Sequence, residues 1–309
     1  MTTLGLVGCG GGDASPTLAL SSANSTQVAS KVLVDSDSVS GISIPTAGGS
    51  ASAFAPLATR ALRRAASRVV GVAPGANATQ TDTCTGGGTI TTDSNATPGA
   101  TSAKATITYA ACVEGDATLN GKLTANASVN GTSITESATI NLTITAGGAK
   151  IVESGDFTIS FNLDDTLGGS SHITASSLSV AITSPAVTDK ITLSDLDIAT
   201  SVVNGESSAT ESYNVETQQL GGLFSVDTDT PVATASLALH PHAGQVTVTG
   251  AKNSKLIITV LGDESFTPPA GQDQVKLELD SGDGKLAAAV YVSWAQLESQ
   301  SANIDLGGF

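Results

Sequence analysis

Residues Ala117-Thr118-Leu119-Asn120-Gly121-Lys122-Leu123-Thr124-Ala125-Asn126-Ala127-Ser128-Val129-Asn130 alternate without a break between small or aliphatic and polar side chains. Side chains in an extended chain point to opposite faces in turn, so a period of two held this long is a strand with one dry and one wet face. Leu119, Gly121, Leu123, Ala125, Ala127 and Val129 make the dry side, and the Thr, Asn, Lys and Ser between them make the wet one.

The same period recurs on both sides of this stretch. Residues 138–146 repeat it with Ala138, Ile140, Leu142, Ile144 and Ala146. Shorter runs follow at Phe157–Phe161, Leu178–Ile182, Ile191–Leu193, Val246–Val248, Leu256–Val260, Val275–Leu279 and Ala289–Val292. Gly, Asn, Asp or Pro clusters bound each run, which is the signature of antiparallel strands joined by short turns. The expected fold is all-β: a large antiparallel meander over 84–309. A twisted sheet of about a dozen strands rarely stays flat, so the meander should curl into an open half barrel with an apolar concave side.

Composition fits this reading. Only 13% of the 309 residues are charged, and the formal net charge is −15. Nucleic-acid binding is excluded as an expectation, because phosphate contacts need clustered Lys and Arg. No apolar run reaches the ~18 residues that a membrane-spanning helix requires. A membrane-spanning barrel is also disfavoured, since six Phe, three Tyr and one Trp cannot furnish two aromatic girdles.

Residues 53–70 break the pattern. The four arginines of the chain, Arg60, Arg63, Arg64 and Arg68, share one helical face, while Phe54, Ala58, Leu62, Ala65 and Val69 share the opposite one. Pro56 suits a first turn, and Gly71 with Pro74 reads as a stop. This amphipathic helix is expected to lay its Leu62/Val69 side on the sheet; an anionic membrane surface is the competing site.

The N-terminus carries an address. Leu6-Val7-Gly8-Cys9 is how a bacterial lipoprotein signal ends, which makes Cys9 the expected site of a thioether-linked lipid. Residues 1–8 are then the truncated end of a signal, and 9–52, rich in Ser, Thr, Ala, Gly and Asp, a flexible tether. Two or three acyl chains would hold the protein to a membrane through their buried methylenes. The resemblance to bacterial lipoproteins, with Gly10 and not an aspartate after the cysteine, implies the bacterial outer membrane, with the domain facing the periplasm or the cell surface. Cys84 and Cys112 remain. In an oxidising compartment they read as a disulfide, with two buried free thiols as the alternative.

Chemistry-bearing constellations are sparse. Asp280-Ser281-Gly282-Asp283-Gly284 is the nearest approach to a calcium loop, but Asp280 and Asp283 supply too few oxygens, and a hairpin turn is the better reading. His240-Pro241-His242 could present two imidazoles with no third ligand near, and Asp164-Asp165 reads as a turn. No nucleophile elbow, phosphate loop or dinucleotide fingerprint is present. The chain is therefore expected to be no enzyme and to need no cofactor.

Several of these residues also carry a resemblance. Cys84-Thr85-Gly86-Gly87-Gly88-Thr89-Ile90, Thr108-Tyr109-Ala110-Ala111-Cys112 and Leu119-Asn120-Gly121 resemble the front half of a group of proteobacterial lipoproteins with no assigned activity. Pro241-His242-Ala243-Gly244, Asn253-Ser254-Lys255, Leu279–Gly284 and Ser293-Trp294-Ala295-Gln296-Leu297 match its rear half. Gly282 stands where that group usually has a further acid. The resemblance implies a lipid-anchored outer-membrane protein. Two functions follow as expectations: a non-catalytic structural or binding scaffold of the envelope, or a carrier of a lipid or other hydrophobic ligand on the concave face. Neither reading fixes an oligomeric state.

Overall fold

The computed structural model describes residues 15–35, 78–96, 101–162, 169–185, 188–236 and 238–300. Within them the fold is all-β, and every strand pairs antiparallel with its neighbours in sequence. The strands are β1 (Ala78–Thr83), β2 (Thr89–Ala96), β3 (Ser102–Glu114), β4 (Ala117–Asn130), β5 (Ser133–Ala146), β6 (Ala149–Asn162) and β7 (Ser170–Thr183). They continue as β8 (Thr188–Val203), β9 (Glu206–Thr217), β10 (Gly222–Thr234), β11 (Ala243–Thr249), β12 (Lys255–Val260), β13 (Val275–Asp280) and β14 (Val290–Val292). All lie in one 14-stranded sheet in chain order, which curls but does not close, so β1 and β14 are its edges.

Short turns set the order. Asn204-Gly205, both with positive φ, join Val203 to its partner Glu206 in a two-residue hairpin of the kind that right-twisted strands favour. The alternation of 117–130 is realised almost as written: Ala117, Leu119, Leu123 and Ala125 are buried, and of the dry side only Val129, near the end of β4, is exposed.

Two glycines let the sheet coil. Gly121 (φ 124°) faces Leu142, and Gly155 (φ 143°) stands between Ile140 and Leu178. A Cβ on Gly121 would lie 2.2 Å from the Asn141 carbonyl oxygen, and one on Gly155 2.3 Å from that of Ser177. Glycine inside a strand is thus where neighbouring backbones close in and the sheet bends. Bulges add to this. The ladder slips by one residue between Asp156 and Thr158 on β6 against β7, and between Ser194 and Asp197 on β8 against β9. A bulge inserts one residue and increases local twist.

The dry face is mostly aliphatic, with Tyr109, Phe157, Tyr213 and Phe224 among the buried side chains, and belongs to one core that reaches to Leu297. Part of the segment expected to be a tether belongs to it. Residues 17–20 run extended over the sheet end: the N–H groups of Thr17 and Leu18 donate to the Leu223 carbonyl, and Ala251 N–H donates to that of Leu18. Next comes α1 (Ser25–Ser30), continued by one π-helical turn at Lys31–Asp35. Leu18, Leu20, Val28, Ala29, Val32 and Leu33 are buried. The apolar positions are too few to show a sustained period, yet enough to seat a short helix once a sheet is there to receive it. The folded unit therefore takes in 15–35 and begins its strands at Ala78, ahead of the expected start at residue 84.

Opposite α1 lies a second helix, α2 (Trp294–Gln300), and the Ser30 hydroxyl donates to the Leu297 carbonyl at 2.7 Å. Ser293 and Gln296 form a capping box: Gln296 N–H donates to the Ser293 hydroxyl, and Ser293 N–H to the Gln296 side-chain oxygen. The expected helix at 53–70, with Arg60, Leu62, Arg63, Arg64, Arg68 and Val69, lies outside the described residues, as do Cys9 and Asp164-Asp165.

Candidate functional site

Cys84 and Cys112 form a disulfide with Cα atoms 5.4 Å apart, tying the β1–β2 turn to β3. The turn is pinned besides by Gly86 N–H to the Val113 carbonyl and by Val113 N–H to that of Gly87. Among the described residues, the one grouping of His, Cys, Asp and Glu close enough to share an ion is Cys84, Cys112 and Glu114. Both sulfurs are bonded to each other, so this grouping offers no thiolate to a metal.

Asp280 acts as a turn cap. Its Oδ1 accepts the N–H groups of Gly282, Asp283 and Gly284, and these hydrogen bonds hold its carboxyl below the usual range. That oxygen is spent on backbone donors, and the segment is a loop between strands, as the spacing of Asp280 and Asp283 suggested. The two histidines part company. His240 stacks on Trp294 with ring centroids 4.7 Å apart, its Nε2 lying 2.9 Å from Glu298 and its Nδ1 3.3 Å from Glu264. His242 lies 3.8 Å from Glu206 instead. Trp294 donates its indole N–H to the Gly262 carbonyl, so this cluster fastens α2 to the loops beside β11 and β12.

Among the described residues, two carboxylates are buried on the dry side. Asp189 pairs with Lys31 at 3.3 Å and accepts the Thr217 hydroxyl and the Gln219 N–H, which locks the π-helical turn to the sheet. Glu153 lies between Leu142 and Val180 in the β5–β6–β7 register. Its Oε2 has no hydrogen-bond partner, and burial pushes its carboxyl up to about 7. Glu136, on the same side of β5 and half-buried, is raised for the same reason.

The wet side carries two hollows. They adjoin, are about 430 Å³ each, share Asn126 and Ser137, and run across the strands from β2 to β8. One is lined by Asn95, Ser102, Lys104, Ser128 and Thr135, the other by Thr139, Asp156, Thr158, Thr174, Asp195 and Asp197. Together they make a trough roughly 30 Å long at the usual strand spacing. The second hollow lies on the bend line that Gly155 and the two bulges draw through Thr139, Asp156, Ser177 and Ser194. At the bulge Asp195 takes a positive φ of 53° and accepts a hydrogen bond from the Asn214 amide. Asp197 lies 2.9 Å from His172 Nε2, and Asp156 accepts from the Thr139 hydroxyl.

None of the trough residues stood out as functional in the sequence. The signal for them is a slip in period: buried Ala175 and Leu178 are three apart, as are Leu193 and Leu196, where a regular strand would place them two apart. A bulge re-aims side chains, and bulges are over-represented beside functional sites. Chemically, the trough offers spaced hydroxyls, amides and carboxylates, a surface that recognises by hydrogen bonds. Comparison with protein-family models, curated proteins and solved structures gave no match.

Proposed function

We propose that this chain is a non-catalytic envelope scaffold, held to the bacterial outer membrane by lipid on Cys9 and binding through the polar face of its sheet. One observation carries the reading. The aliphatic face is occupied by the chain's own packing, from Leu18 and Val28 through Leu123 and Ile144 to Leu297, while the polar face presents the trough. A disulfide between Cys84 and Cys112 supports an oxidising compartment, since cytosolic thiols stay reduced. The Leu6–Cys9 ending supports the anchor, and Gly10 the outer membrane.

Glu153 favours a second reading, the carrier. A buried carboxyl with an unpartnered oxygen among aliphatic side chains is where the polar head of a hydrophobic ligand would dock. One experiment separates the two. The full chain, expressed behind a complete signal in a Gram-negative host, is partitioned with detergent and then challenged with a fluorescent fatty acid. The scaffold reading expects Cys9→Ser to move the protein out of the detergent phase and expects no fatty-acid uptake. Saturable uptake that Glu153→Gln weakens would overturn it in favour of the carrier. Equal partition of the two forms would remove the anchor.

A further inference from the structure

We propose that the trough on the polar face holds an extended amino-sugar polymer, laid across the strands with its ammonium groups against Asp156, Asp195 and Asp197. The inference rests on the scaffold reading and names the partner of that face.

Shape comes first. The two hollows adjoin at Asn126 and Ser137, which line both, so together they suit a chain better than a compact molecule. Strands repeat every 4.7–4.9 Å, or about 4.8 Å. That is close to the rise of one pyranose ring in an extended glycan, so each strand can meet one sugar. Chemistry follows. Half of the lining residues are Ser, Thr or Asn, which both donate and accept, as sugar hydroxyls require, with Ala103, Ala127, Ala138, Phe157, Ala175 and Leu196 between them. An apolar ligand would leave the polar ones unpaired on burial, at a cost for each.

Charge decides among polymers. The half of the trough on β4–β8 has three carboxylates and, among its described lining residues, no Lys or Arg. An anionic glycan or nucleic acid would be repelled there. Lys104, the cation of the other half, lies on β3 and confines an ammonium-bearing chain to the β4–β8 end. These carboxylates do not form a metal cluster: among the described residues the grouping that could share an ion is the one at Cys84 and Cys112. They sit apart instead, Asp156 on β6 and Asp195 and Asp197 two strands away on β8. Such spacing fits charges that recur along a polymer.

The test uses the full chain and four fluorescein-labelled probes: hexamers of glucosamine, N-acetylglucosamine and galacturonic acid, and hexalysine. Fluorescence anisotropy is expected to show saturable binding of the glucosamine hexamer that weakens with added salt, and tighter binding of it than of the other three. Asp156→Asn with Asp197→Asn should weaken it by about tenfold or more, the scale of lost charged hydrogen bonds. Asp229→Asn, outside the trough, should leave it unchanged. Should the double variant misfold by circular dichroism, Asp156→Asn alone is read, with a smaller loss in the same direction. No binding of the glucosamine hexamer, binding indifferent to these variants, or hexalysine binding as tightly would each overturn the proposal. A negative result here with no fatty-acid uptake leaves the scaffold reading standing without this partner. Uptake of fatty acid removes the scaffold reading whatever the glycans do.

Discussion

Glu153 and Asp189 are both buried carboxylates, and what meets them sets them apart. Asp189 has the Lys31 ammonium, a hydroxyl and a backbone N–H; Glu153 has Leu142 and Val180 on either side and an oxygen with no partner. A buried pair tends to fix geometry, whereas an uncompensated carboxyl resists ionisation. The pH consequence has a definite sign. In the unfolded chain Glu153 gives up its proton near the usual 4.5, but in the fold only near about 7. The folded state binds the extra proton in that window, so stability falls as pH rises from 4.5 through 7 and then levels off. A shift of this size corresponds to about 3 kcal/mol, at roughly 1.4 kcal/mol per pH unit. Glu153→Gln is expected to match the wild type near pH 4 and to melt at a higher temperature at pH 8. Glu136 acts in the same direction and leaves a residual slope. Thermal unfolding at the two pH values checks this; a variant no more stable than wild type at pH 8 would refute it.

Among the strands, some long pairs keep their register from end to end and others slip at a bulge. β4 and β5 pair along their whole length, from Ala117 with Ala146 to Asn130 with Ser133, and their periods were legible in the sequence. β7 and β8 each carry an extra residue, and the runs Leu178–Ile182 and Ile191–Leu193 gave only one half of each strand. Residues 117–130 did not show that Gly121 was more than a small dry-side residue. The fold makes it a close-approach point, since a Cβ there would meet the Asn141 carbonyl. Gly121→Ala is therefore expected to cost about 1–3 kcal/mol from the backbone conformation alone, with the steric contact added. A urea midpoint unchanged from wild type would show that the bend does not depend on it. Ser293-Trp294-Ala295-Gln296 is a different case: the reading of 84–309 as strands passed over α2, although its capping pair, Ser293 and Gln296, stands in the sequence.

For the molecule as a whole, an open sheet must protect its edge and cover its dry face. The Cys84–Cys112 disulfide secures the β1 end by closing a loop with a sequence separation of 28. The chain-entropy model puts its contribution at about 3–4 kcal/mol. Cys84→Ala with Cys112→Ala should lower the urea midpoint by that equivalent, and reductant should do the same to the wild type and nothing further to the variant. A wild type insensitive to reductant and equal to the variant would show the bridge to be without effect on stability. At the other end, α1 and α2 meet beside β13, with Val28 and Leu297 fully buried.

The amino-acid sequence by itself determined the fold class, the order of the strands and, within the runs it shows, most of the side chains that face inward. Each follows from local physics: a period of two, turn residues at fixed intervals, and short loops that leave successive strands no choice but to pair. It also brought Cys84 and Cys112 forward as a pair. The tertiary structure decided the rest. Residues 15–35 have weak local signals and are held by partners more than two hundred positions away, such as Leu223 and Leu297. The trough joins residues of strands β2 to β8 that share no motif. Its carboxylates, on β6 and β8, line one hollow because bulges and a glycine shift the strands along one line, and bending belongs to the packing of neighbouring backbones rather than to any one stretch of chain.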